Sequence, residues 1–156
     1  MHHNSAENGP RSEPQHQFAS LARLGELPDL RRQGLTAVQA VMAMRLCVLC
    51  SHAGEDPTRA LTERFGSMLS ANRFRLLMAT IDAGWPDDFL VSRPCCMKMT
   101  SDEALVAALV DHAALMQRAG FDRLCAEMLN EELREQIWIR MLDWLRSLPK
   151  THLLQS

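Results

Sequence analysis

Residues 35–52 read Leu-Thr-Ala-Val-Gln-Ala-Val-Met-Ala-Met-Arg-Leu-Cys-Val-Leu-Cys-Ser-His, and this stretch decides the fold class. It holds no proline or glycine, and Val38, Val41, Met42, Leu46, Val48 and Leu49 cover nearly every side of a helix. Thr36 suits its N-cap and Gly54 its end. A helix apolar on all sides belongs at the centre of a bundle. Gln39 and Arg45 interrupt the apolar run, which reads as too short and too polar for a membrane span.

Helical punctuation continues on the C-terminal side. Asp56 caps a second helix with Pro57 at its first position, Ala60, Leu61 and Phe65 form its stripe, and Gly66 stops it. Ser70 is the expected cap of a third helix, in which Phe74, Leu77, Met78 and Ile81 recur at helical spacing up to Gly84-Trp85-Pro86. Residues 87–99 are irregular, with one short extended stretch expected at Phe89-Leu90-Val91. Thr100 and Glu103 spell a capping box, which opens a helix carrying Leu105, Val106, Leu109, Val110, Ala113 and Met116 and stopping at Gly120. After Phe121 a short helix runs through Leu129. A final one, from about Glu131 to Leu148, stacks Leu133, Ile137, Met141, Trp144, Leu145 and Leu148 before Pro149. The expectation is an all-α, single-domain, irregular bundle of five or six helices over residues 18–148. A disordered tail is expected over residues 1–17, a short helix before Pro28, and a loose tail over 149–156.

Composition agrees. The chain has 156 residues, 47% hydrophobic and 23% charged, enough for one packed core. Aromatics are 5% with no tyrosine, against ten methionines, a balance that disfavours strands. A net charge of −2 announces neither nucleic acid nor a membrane surface. The first residues lack a basic n-region and an apolar run, so no signal peptide and a cytoplasmic location are expected. Five cysteines, an odd number, fit thiols or metal ligands better than disulfides.

Those cysteines are the one chemically distinctive feature. Cys47 and Cys50 share a helix face, and Cys95-Cys96 precede the capping box, so four thiols in two pairs suit a tetrahedral zinc site. With Met42, Met44, Met97 and Met99 nearby, copper(I) is a second ion of matching softness. Against this, zinc C-x-x-C pairs sit on turns rather than in helices, adjacent cysteines strain a tetrahedral site, and buried cysteine is commonly a small core residue. No cofactor is therefore expected, with zinc or copper the exception the thiols allow. Thioredoxin-like chemistry lacks its strand–helix context. Cys95 and Cys96 stand near the positive end of the next helix, between Arg93 and Lys98, which favours thiolate. Cys125 reads as core, and His112 as a hydrogen-bonded, partly buried residue rather than a base.

Arg59, Arg64, Arg73 and Arg75 raise the possibility of nucleic acid. A helix-turn-helix, however, needs apolar support where Ser67, Asn72 and Arg75 stand, so a solvated arginine face is the better reading. No Walker loop, G-x-G-x-x-G, H-E-x-x-H or paired Glu-x-x-His occurs. Trp138 falls off the stripe of the last helix and is either an exposed interface anchor or ordinary core.

The stretch from Arg64-Phe65-Gly66 through Phe74-Arg75-Leu76-Leu77-Met78 to Pro94-Cys95-Cys96-Met97-Lys98-Met99-Thr100-Ser101-Asp102-Glu103 resembles a small bacterial family of unknown function. That family pairs an F-G turn and an arginine-bearing helix with a P-C-C turn and then M-T-x-x-E. The resemblance spans residues 36–116 and implies a compact helical protein with no assigned activity. Met97 and Lys98 depart from the small or arginine residues of the pattern. The functional expectation is a non-enzymatic helical module that binds another protein or self-associates. Thiol or metal chemistry and nucleic-acid binding are the rivals.

Overall fold

The computed structural model describes residues 28–150. A short 3-10 turn, Leu30–Arg32, leads into six helices: α1 Leu35–His52, α2 Thr58–Phe65, α3 Met68–Gly84, α4 Ser101–Ala114, α5 Arg118–Cys125 and α6 Glu131–Ser147. Among the described residues there is no β-strand beyond an isolated bridge between Asp29 and Lys98. The all-α bundle is as the sequence implies. The tail at 1–17, the start of the expected helix before Pro28 and residues 151–156 lie outside the described residues.

Two packed layers meet in one core. α3 lies along α6 and α2 folds back on α3, while α1 packs on α4, which joins the halves through α5 and α6. Phe65, Phe74 and Trp144 form an aromatic trio at the first junction, with ring centroids 5.2–5.6 Å apart. The second junction is aliphatic, with Ala37, Ala40, Val41 and Met44 of α1 against Val106, Leu109 and Val110 of α4 all buried.

Several boundaries differ from the sequence reading, each for a physical reason. Gly34, not Thr36, is the N-cap of α1. Pro57 takes the cap position of α2, with the Asp56 carboxylate accepting from the Thr58 N–H at 2.8 Å. Gly66 does end α2 in the left-handed region, φ 73°, but α3 restarts at once on Ser67, whose hydroxyl accepts from the Ser70 N–H. Ser70 is therefore inside the helix, fully buried, and donates to the Ser147 carbonyl at 2.8 Å. Gly120 stops nothing. The left-handed residue of that turn is Met116, φ 56°, and Gly120 sits inside α5 because a Cβ there would come within 2.4 Å of the His112 ring.

α1 is also less central than its composition implies. Leu49 is exposed, and Val38, Met42, Leu46 and Val48 are half-buried. By length and composition its 18 residues, mean hydropathy 1.4, are enough to cross a membrane, contrary to the sequence reading. In the fold its buried residues are Ala37, Ala40, Val41, Ala43, Met44, Arg45 and Cys50, and the Arg45 guanidinium is paired within the chain.

A rigidly braced loop as the candidate functional site

The site assembles around the residue that looked like an interruption of α1. Arg45 is 1% exposed and Glu103 0% exposed. Arg45 Nε donates to Glu103 Oε2 at 2.6 Å and Nη2 to Oε1 at 3.1 Å, a bidentate, charge-assisted pair. The same guanidinium continues outward: Nη1 donates to the Cys96 carbonyl at 2.7 Å and Nη2 to the Lys98 carbonyl at 3.2 Å. Glu103 is simultaneously the far end of the capping box, accepting from the Thr100 N–H at 2.9 Å while Thr100 Oγ1 accepts from the Glu103 N–H at 3.0 Å. One buried ion pair thus ties α1, the start of α4 and the preceding loop together.

That loop, residues 85–100, holds no helix or strand, only the Lys98 bridge to Asp29, and is longer than most connections in a compact domain. It is pinned at both ends and at points between. Trp85 is buried, tilts against Phe89 at 5.1 Å, and donates its indole N–H to Asp102 at 3.1 Å. Asp102 also accepts from the Leu90 N–H at 2.8 Å, and Thr100 Oγ1 donates to the Leu90 carbonyl at 2.7 Å. Ser92 donates to the Lys98 carbonyl, and the Cys96 N–H closes a turn on the Arg93 carbonyl at 3.0 Å. On the far side the Leu30 N–H reaches the Met97 carbonyl at 2.7 Å, and Met99 is buried. The expected extended stretch at Phe89–Val91 forms no strand, because its backbone bonds go to Asp102 and Thr100 instead of to a partner strand.

What this scaffold holds outward is apolar and thiol. Leu90 is 64% exposed and Met97 40%, with Cys95, Arg93 and Lys98 also exposed and Cys96 half-buried.

The remaining sequence candidates fall elsewhere. The four-thiol metal centre does not assemble: among the described residues no three His, Cys, Asp or Glu side chains group to hold an ion. The reason is helical geometry. Cys47 and Cys50 follow Arg45 by two and five positions, roughly 200° and 140° further round α1, whereas the Cys95-Cys96 turn lies on the Arg45 side. Burial pushes the Cys47 thiol up to about 12, with neighbouring Cys50 adding to the shift, so it is a protonated packing residue. Cys125 is buried and donates to the Phe121 carbonyl.

Trp138 is core, not an exposed anchor. It is 8% exposed, meets Phe121 edge-on at 5.1 Å, and carries the Arg118 guanidinium 5.3 Å above its ring. Its place off the stripe is real, but α5 folds over it, which a wheel of the last helix alone does not reveal.

The four arginines also have partners within the chain. Arg59 lies 3.5 Å from Glu63 and Arg75 3.4 Å from Asp56, while Arg64 donates to Gln39 and Arg73 to the Asp143 carbonyl. His112 holds Gln117 at 3.0 Å through Nδ1, the structural role its helix position implies.

No family model, curated protein or solved structure matches this chain.

Proposed function

We propose that this protein is a non-enzymatic helical module that binds another protein, or a second copy of itself, through the outward side chains of the loop at residues 85–100. The observation that carries the reading is the commitment of a fully buried arginine to two carbonyls of that loop. A surface segment held by so many fixed partners loses little conformational freedom on association, which is how preorganised binding loops gain affinity. Leu90 and Met97 supply exposed apolar contacts, flanked by exposed Asp87 and Asp88 on one side and Arg93 and Lys98 on the other, so the complementary surface is apolar with charges of both signs at its edges.

Photo-crosslinking side chains placed at positions 90 and 97, and at exposed position 63 on α2 as a remote control, test the reading in the cells that make the protein. Discrete adducts from 90 and 97 but not from 63 are expected. Light scattering on the purified chain then separates a homotypic partner from a different one. A strict monomer with no adduct above the control would overturn the proposal.

A further inference from the structure

We propose that Cys95 and Cys96 form a redox-active vicinal dithiol, closed to an intramolecular disulfide by a hydroperoxide and reopened by a dithiol reductant. The site stands whether or not the loop binds a partner.

Of the five cysteines, this pair alone combines access with adjacency. Cys95 is exposed and Cys96 half-buried on one tight turn, whereas Cys50 and Cys125 are buried. Cys47 and Cys50 are also near each other, but burial of Cys47 keeps it protonated at neutral pH and therefore a poor nucleophile. Neighbouring residues in one turn also confine the two sulfurs to each other's vicinity, so the second step competes well with over-oxidation or capture by another chain.

The steps balance as follows. The Cys95 thiolate attacks the terminal peroxide oxygen, the O–O bond breaks, and Cys95 becomes a sulfenic acid while the other oxygen takes a proton and leaves, as water from hydrogen peroxide or as the alcohol from an organic hydroperoxide. The Cys96 thiolate then attacks the sulfenic sulfur, forming S–S and expelling hydroxide, which takes a proton and leaves as water. Two thiols lose two electrons and the peroxide gains them. A dithiol reductant returns the pair through a mixed disulfide. Cys96 is held on both sides, its N–H by the Arg93 carbonyl at 3.0 Å and its own carbonyl by Arg45 at 2.7 Å. Closing a small ring at this residue works against both bonds, so oxidation changes how the loop is presented.

The test treats the reduced full-length chain with a small molar excess of hydrogen peroxide, followed by alkylation, digestion and mass spectrometry. Cys95 and Cys96 should lose alkylation together, in a peptide lighter by two hydrogens, and regain it after dithiothreitol. The Cys96→Ser chain should instead accumulate a dimedone-reactive Cys95. Phenylarsine oxide on the unmodified chain gives a check independent of any variant: one arsenical per chain should bind and block peroxide closure. The proposal is overturned if Cys95 alone is oxidised in the wild type, if interchain dimers dominate, if Cys47 and Cys50 react first, or if the arsenical is not retained.

Discussion

Arg45 and Glu103 stand 58 positions apart in the chain and meet in a bidentate ion pair almost wholly shielded from solvent, 2.6 Å at its shorter contact. The same contact anchors the loop at 85–100 through the Cys96 and Lys98 carbonyls and the Thr100 N–H. Arg45→Met leaves the Glu103 carboxylate buried without its counter-charge and should cost about 3–5 kcal/mol in denaturant unfolding. Arg45→Met combined with Glu103→Leu should recover part of that loss, because an apolar pair avoids the desolvation of two ions, while the Cys96 and Lys98 carbonyls and the Thr100 N–H still lose their partners. A double variant as unstable as the sum of the singles would show that the two residues are not coupled.

Thr100 joins the cap of α4 to the loop, accepting from the Glu103 N–H and donating to the Leu90 carbonyl. Thr100→Ala should therefore cost about 1–2 kcal/mol, the upper range for a lost N-cap. Thr100→Ser should restore both bonds and most of the stability. Amide exchange at Leu90 should quicken in the alanine variant alone, because losing the bond to the Leu90 carbonyl loosens the segment whose N–H Asp102 still holds.

Met116 occupies the left-handed region with its side chain exposed. Met116→Gly removes the Cβ penalty and keeps the N–H that donates to the Ala113 carbonyl. A gain of about 1 kcal/mol and a melting point a few degrees higher are expected, because the steric cost of that conformation exceeds the little burial lost. An unchanged or lower melting point would count against this account of the turn.

Cys47 gives the alkaline limb a definite sign. Burial raises its pKa from 9.0 to about 12, so the unfolded thiol ionises first as pH rises. The contribution of Cys47 to stability is complete below about pH 9 and is lost progressively between there and about pH 12. Cys47→Ala should flatten the stability profile across that window. Iodoacetamide should also leave Cys47 unmodified in the folded chain at mildly alkaline pH while labelling Cys95.

By itself the sequence determined the features whose causes lie within a few residues. The Thr100–Glu103 capping box, the left-handed Gly66 and the apolar spacings of α3 and α6 all follow from contacts one turn long, and all stand in the fold. Elsewhere tertiary partners overrode the local reading. Ser67 caps α3 because Ser70 is drawn inward by the Ser147 carbonyl, 77 positions away. Gly120 serves the close approach of His112 rather than a helix end. Trp138 is core because α5 covers it, and the four thiols stay apart because Arg45, not a cysteine, faces the loop. The same holds for the candidate site. The Cys95-Cys96 turn and the capping box were both visible in the sequence, but Arg45 read only as a charge interrupting an apolar helix. Its role rests on an ion pair and two carbonyl bonds made across more than 50 residues. A pattern of neighbours encodes helices, whereas a buried charge acquires its meaning from whatever distant group the packing sets opposite it.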